Sequence, residues 1–124
     1  MPDTPPTVFP FLRFADADAG IEWLSRAFHA KEHAAYRDDA GVVHHAELAL
    51  GNGLVMIGQG DPESHGVYVA VEDVDAHYER ARAEGAAIVR ELEDTEYGSR
   101  EYTARDPEGH VWSFGSYNPY SYGG

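Results

Sequence analysis

The stretch that decides the fold reads Tyr97-Gly98-Ser99-Arg100-Glu101-Tyr102 and continues through Asp106-Pro107-Glu108-Gly109-His110 to Trp112-Ser113-Phe114. Its two arms alternate between polar and apolar residues, which is typical of half-buried strands. The segment between the arms favours a turn, because Pro107 fixes φ at the first corner and Gly109 accepts the positive φ that ends it. The sequence therefore predicts a strand, a tight turn and a second strand.

The same arrangement occurs about 57 residues earlier in the chain. A fixed period that contains several elements indicates a structural repeat, and each copy is too small to bury its own apolar face. The first copy is predicted as strand, helix and three strands, at Val8–Phe14, Ala17–Phe28, Glu32–Arg37, Val42–Leu50 and Leu54–Gln59. The second follows the same order, at Gly66–Val71, Asp75–Glu84, Ile88–Leu92, Arg100–Arg105 and Val111–Tyr117. We predict an α+β fold in which two βαβββ modules form a curved mixed sheet with the helices on its convex side.

The length of 124 residues predicts one domain, with module one at about residues 7–60 and module two at about 65–117. The ends, residues 1–6 and the tail at 118–124, are rich in Pro, Gly and Tyr. We expect them either to be mobile or to lie along a partner.

Two local patterns make specific predictions about packing and turns. Ile21, Leu24 and Phe28 recur at helical spacing and predict the buried stripe of the first helix. The pair Asn52-Gly53 predicts a hairpin with a type I′ turn, in which Gly51 pairs with Leu54.

Composition narrows the classes of partner. The formal net charge of −13 argues against nucleic acid and anionic membranes and would attract a cationic ligand, although most of the carboxylates are expected to be solvated surface. No apolar run is long enough to span a membrane or to form a signal peptide. The absence of cysteine fits a reducing compartment, so we expect a cytoplasmic protein.

Strand alternation assigns residues to the helix side or to the opposite face. If the modules form one incomplete barrel, the opposite faces line a shared concavity, whose wall would carry Phe9, Phe11, Arg13, His45, Glu47, Met56, Tyr68, Glu101, Thr103, Arg105 and Ser113. Aromatic rings with a few polar groups are typical of small-molecule pockets, and a face that served only as core would not carry several charges. The alternative is that this face packs against a second subunit.

With these elements in place, the chain resembles the vicinal oxygen chelate superfamily, which includes glyoxalase I, extradiol dioxygenases, and fosfomycin- and bleomycin-resistance proteins. The resemblance covers Val8 to Tyr117 and rests on the doubled βαβββ pattern and four segments: the helix Ala19–Phe28 with Trp23, His45-Ala46-Glu47-Leu48, Val71-Glu72-Asp73-Val74-Asp75 and Asp106-Pro107-Glu108-Gly109. This fold supports several chemistries, so the resemblance predicts the fold more sharply than the function.

The resemblance also implies where a metal would be held. Metal-dependent members place four ligands, mostly His and Glu, at positions that correspond here to Phe9, Met56, Gly66 and Ser113. These side chains do not supply the donors that a divalent ion needs, so we expect no metal and no other cofactor.

The metal-less members that the chain resembles most are the bleomycin-resistance-type binding proteins. The leading hypothesis is a homodimer that sequesters a bulky, aromatic and cationic molecule without chemistry, with Phe9, Phe11, Tyr68, Trp112 or the C-terminal tyrosines stacking on it and Glu47 and Glu101 setting charge. The alternative is a glyoxalase-like lyase or isomerase that uses His45 and Glu47 for acid–base work. A third reading is an interaction domain whose concave face is filled by its partner subunit. The remaining histidines, among them His33 and His77, form no constellation in the sequence.

Overall fold

The structure, a computed structural model, describes residues 5–122 and the side chains as far as Tyr120. These residues divide into two compact units, Phe9–His65 and Gly66–Tyr122, the second of which also includes residues 5–8. Each unit is one βαβββ module, so the predicted α+β repeat is confirmed. The expectation about the chain ends falls partly on residues 1–4 and 123–124, which lie outside the described residues.

The N-terminal module contains β1 (Val8–Phe14), α1 (Ala17–Phe28), β2 (Lys31–Arg37), β3 (Val43–Leu50) and β4 (Gly53–Gln59). Its strands follow the order β2-β3-β4-β1. The pair of β1 and β4 is parallel and the other two pairs are antiparallel. Helix α1 packs on β3 and β4 and so covers one face of this sheet.

The C-terminal module contains β5 (Gly66–Ala70), α2 (Val74–Ala83), β6 (Ala87–Asp94), β7 (Arg100–Arg105), β8 (Val111–Gly115) and the short α3 (Pro119–Tyr122). Its strand order is β5-β8-β7-β6, with β5 and β8 parallel. Helix α2 packs on β6 and β7. Strand β8 ends at Gly115, and the tail then continues into α3 with Pro119 buried, which the Pro-, Gly- and Tyr-rich composition did not predict.

The repeat is also visible in hydrogen-bond register. Met56 pairs with Phe11 in the N-terminal module, and Ser113 pairs with Tyr68 in the C-terminal one. Both members of each pair are 57 positions from their counterparts. The helices begin alike, because Asp16 caps α1 and Asp73 caps α2 through a side-chain oxygen that accepts a backbone N–H. Equivalent positions can therefore be compared side chain by side chain.

The predicted stripe of α1 is partly wrong. Leu24 is buried and Ile21 packs against the core, but Phe28 is exposed and meets Trp23 edge-on, with 4.9 Å between the ring centroids. The buried face contains Ala17 and Gly20 instead. A Cβ on Gly20 would lie 2.5 Å from the Phe14 ring, so the ring fills the space that a larger residue would need.

The predicted position and type of the turn between β3 and β4 are also wrong. Leu50 pairs with Gly53, so the two turn residues are Gly51 and Asn52. Gly51 has a φ of 61°, whereas Asn52 is not among the residues with positive φ. A glycine with positive φ at the first turn position is the requirement of a type II′ turn, not of type I′. The observed pairing of β3 with β4 is shifted by two residues from the predicted one. Because side chains alternate with a period of two, each residue still points to the predicted face of the sheet.

The Asp-Pro-Glu-Gly turn forms as predicted, and Gly109 has a φ of 94°. The carboxylate of Asp106 accepts hydrogen bonds from the indole N–H of Trp112 at 3.0 Å and from the backbone N–H groups of Glu108 and His110. These bonds, the indole's above all, lower the pKa of Asp106 from 3.8 to about 2. The ionised side chain thus ties the turn to β8.

Asp106→Asn should lower the melting temperature most at neutral pH. Because the pKa of Asp106 is depressed, its charge stabilises the fold fully above the unfolded value of 3.8, and this stabilisation is lost as the pH falls to about 2. The difference in melting temperature between wild type and variant should therefore shrink over that interval. Circular dichroism melts at a series of pH values measure it, with Asp39→Asn, at an exposed loop position, as control. A difference that stays constant with pH would contradict the assignment.

No helix within residues 5–122 combines the length and the apolar composition that crossing a membrane requires.

Candidate functional site

A row of three side chains crosses the face of the N-terminal sheet opposite α1. Glu47 on β3 pairs with Met56 on β4, which pairs with Phe11 on β1. Alternation turns these residues away from the core under α1, to which Leu48 and Ile57 belong. Glu47 is nevertheless fully buried. The face therefore holds a buried carboxylate beside a thioether and a half-exposed phenyl ring.

Two histidines approach the Glu47 carboxylate. His45 Nε2 lies 2.8 Å from Glu47 Oε2, and His33 Nε2 lies 3.8 Å from Glu47 Oε1. The His45 ring also stacks with the exposed ring of Tyr36, with 6.0 Å between centroids and 21° between the planes. The predicted pair of His45 and Glu47 is thus brought together, and a third group joins it.

His33 is the residue that the sequence did not predict. The pairing of β2 with β3 shifts between Glu32 and Ala34, which places His33 in a β-bulge. A bulge adds one residue to a strand and re-aims its side chain, so simple alternation no longer tells which face the residue joins. Here the bulge brings the His33 imidazole within reach of Glu47.

Two further predicted residues of this module lie at the margins of the face. Phe9 is fully buried, so its ring contributes to packing in this structure. Arg13 is exposed, and its guanidinium lies 5.2 Å from the centroid of the Phe11 ring. It donates hydrogen bonds to the carbonyl and the hydroxyl of Ser64. Arg13 therefore fixes a loop beside the row and screens part of Phe11.

The C-terminal sheet has its own row on the face opposite α2. Thr103 pairs with Ser113, which pairs with Tyr68, and the hydroxyls of Thr103 and Ser113 are 2.9 Å apart. The Tyr68 hydroxyl donates to the carbonyl of Tyr117 at 2.6 Å. Burial first, and then the charge of Glu101, raises the pKa of Tyr68. Three predicted residues thus form one polar row, in which Thr103 and Ser113 share a side-chain hydrogen bond.

Glu101 is the buried carboxylate of this second face, and it is held by side chains that the sequence reading did not single out. Arg90 donates from Nη2 to Glu101 Oε1 at 3.0 Å, and the Tyr97 hydroxyl donates to Oε2 at 3.0 Å. Arg90 also donates to Thr103 and to Glu93. Desolvation of its hydroxyl and the charge of Glu101 raise the pKa of Tyr97 to about 12. Strand β6 supplies Arg90 through two register shifts, so alternation alone could not place it.

Arg105, also predicted for the face, is exposed and donates to the carbonyl of Gly109 at 3.1 Å. The guanidinium of Arg105 therefore stabilises the turn between β7 and β8. This hydrogen bond does not connect Arg105 to the row of Thr103 and Ser113.

Residues 8–114 match the family model described as Glyoxalase/Bleomycin resistance protein/Dioxygenase superfamily, and the chain belongs to this superfamily. It is 32% identical to an uncharacterised protein of Mycobacterium bovis, over 89% of this chain and 82% of that protein. It is 36% identical to TioX from Micromonospora sp. ML1, over 85% of this chain and 93% of that one, with a TM-score of 0.38. A superfamily member from Vibrio splendidus 12B01 is 20% identical, covers 87% of this chain and 96% of its own, and shares the fold with a TM-score of 0.68.

The residues at the four positions that the resemblance assigns to metal ligands do not carry the donor groups that a divalent ion needs. In the N-terminal module they are the buried phenyl of Phe9 and the buried thioether of Met56. In the C-terminal module they are Gly66, which has no side chain, and Ser113, whose hydroxyl forms a hydrogen bond with the hydroxyl of Thr103. Within residues 5–122, moreover, no three His, Cys, Asp or Glu side chains are placed to hold a metal ion. The imidazoles beside Glu47 approach different oxygens of its carboxylate.

Proposed function

We propose that this protein is a metal-independent binding protein that sequesters a bulky, aromatic and cationic small molecule, such as an antibiotic. The observation that carries the proposal is the fully buried Glu47 carboxylate on the sheet face opposite α1, flanked by His33 and His45. As part of the proposal, the protein acts as a homodimer in the cytoplasm.

The two buried carboxylates differ in how their charge is balanced. Glu101 meets the guanidinium of Arg90, which is charged at every accessible pH. Glu47 meets two imidazoles, which are positive only when protonated. A cationic group of a ligand would therefore gain more from Glu47 than from Glu101.

The surroundings of Glu47 suit an aromatic ligand. Phe11 and Tyr36 offer rings, and Met56 offers a polarisable thioether in the same row as the carboxylate. Rings and thioethers bind flat molecules without demanding one orientation, and rings also attract cations. The net charge of −13 would further speed the approach of a cation.

Isothermal titration against a panel of glycopeptide and DNA-intercalating antibiotics tests this function. We expect saturable binding of at least one cationic member, together with a raised melting temperature. Neutral analogues of the same ring systems serve as matched ligands and should bind more weakly. Absence of both heat and stabilisation across the whole panel would reject sequestration of this ligand class.

A glyoxalase-like lyase or isomerase is the second candidate, and the approach of His33 to Glu47 favours it. A buried carboxylate between two imidazoles could pass a proton from one imidazole to the other. Turnover assays with His45→Ala distinguish the two functions, because this variant would abolish turnover in an enzyme but leave ligand affinity nearly intact in a binding protein.

Sedimentation of the wild type tests the proposed homodimer.

A further inference from the structure

A crevice opens on the helix side of the C-terminal module, on the other face from the row of Tyr68, Thr103 and Ser113. Its volume is about 230 Å³. Helix α2 and the residues that follow it form one wall, and β7 and β8 form the floor. A cavity of about 150 Å³ lined by apolar side chains is enough to bind benzene, so this crevice has room for one or two fused rings.

The repeat explains why the crevice exists. Leu24 of α1 corresponds to Ala81 of α2, 57 positions later. Leu48, which pairs with Val55, corresponds to Ala104, which pairs with Trp112. Both leucines belong to the buried core of the N-terminal module, whereas both alanines line the crevice. The C-terminal module thus lacks two large side chains at positions where the same architecture accommodates them.

Large aromatic side chains of this module lie on β7 and β8, where they form the floor of the crevice. The rings of Trp112 and Phe114 are nearly parallel, at 6° with 6.5 Å between centroids, and Tyr102 lies 5.1 Å beyond Phe114. The ring of His77 stands 4.3 Å from Phe114. Trp112 and Phe114 are only half-buried. A flat aromatic molecule could cover them in the offset arrangement that rings prefer.

The polar groups that line the crevice have partners, and Arg105 among them donates to the carbonyl of Gly109. The indole N–H of Trp112 donates to Asp106, and His77 Nδ1 lies 2.6 Å from the Tyr102 hydroxyl. Burial lowers the pKa of His77, which keeps its ring neutral near neutral pH. The surface offered to a ligand is apolar, so a charged group placed there would lose its hydration without compensation.

We propose that this crevice is a second ligand site, distinct from the Glu47 face, which takes an uncharged planar aromatic group of one or two fused rings. The ligand lies on Trp112 and Phe114 and occupies the space that Leu24 and Leu48 fill in the other module. The site is independent of the proposed function at Glu47.

Nuclear magnetic resonance titration of the full chain with indole provides the test. The chain has two tryptophans, so the indole N–H of Trp112 can be followed against that of Trp23 on α1, which is exposed and reports non-specific stacking. We expect saturable shifts of the Trp112 signal and of the Ala81 and Ala104 methyl groups, with Trp23 unaffected. Cyclohexanol, which is smaller and neither planar nor aromatic, should bind more weakly.

The variant Ala104→Leu, which copies the side chain of the other module, should weaken indole binding by at least about tenfold and leave the melting temperature equal or higher. If it does not fold, Ala81→Leu makes the same test from the helix side. Absence of a saturable Trp112 shift, an equal shift of Trp23, or unchanged affinity in the folded leucine variant would overturn the proposal.

Discussion

Glu47→Gln is expected to weaken binding of a cationic ligand by more than tenfold while keeping the shape of the side chain. The carboxylate is fully buried, and removal of one member of a buried charge pair costs about 2–5 kcal/mol. Since about 1.4 kcal/mol corresponds to a tenfold change in affinity, even the lower end of that range is visible by titration calorimetry.

Two variants make this expectation specific. Glu32→Gln removes the same charge from an exposed position of β2 and should leave the affinity nearly unchanged. Glu101→Gln removes a buried carboxylate that Arg90 already balances, so it should reduce stability more than affinity. Melting curves confirm that each variant is folded. Equal affinity losses in Glu32→Gln and Glu47→Gln would show that overall charge, and not Glu47, attracts the ligand.

The fold could be predicted from sequence because its signals are local and occur twice. The helix N-caps Asp16 and Asp73, the alternation in the strands and the turn at Gly109 are each set by a few neighbouring residues. The repeat then requires both modules to share one architecture. The type of the turn after β3 was missed because Gly51 and Gly53 both permit positive φ, and the competition between them is settled by strand pairing beyond the turn.

The candidate site could be predicted only where strands are regular. Alternation placed His45 and Glu47 on one face, and they are in contact. It could not place His33 or Arg90, because register shifts in β2 and β6 break the alternation. Both shifts arise from pairing between strands, which no local pattern reports. The crevice was missed for a different reason: two alanines signal a cavity only after the repeat has been aligned.

Gly115→Ala is expected to lower the free energy of unfolding by about 1–3 kcal/mol, the usual cost of overpacking. An added Cβ would lie 2.6 Å from the Tyr68 hydroxyl and 2.7 Å from Glu101 Cγ. Neither side chain can move freely, because Tyr68 is bonded to the Tyr117 carbonyl and Glu101 is held by two donors. Tyr68 and Glu101 would have to give up these bonds. The variant should therefore disturb the arrangement of these two side chains as well as lower the stability of the fold.

The repeat supplies a matched control. Gly58 occupies the equivalent place, 57 positions earlier, and a Cβ there would meet only the His44 carbonyl at an ordinary distance of 3.6 Å. Gly58→Ala should therefore be neutral, or stabilising by up to about 1 kcal/mol, because alanine loses less backbone entropy on folding than glycine. Denaturant unfolding measures both variants. If both variants lose the same free energy of unfolding, glycine is needed at both positions for its backbone conformation. A loss of stability confined to Gly115→Ala shows that glycine at this position leaves room for the side chains of Tyr68 and Glu101.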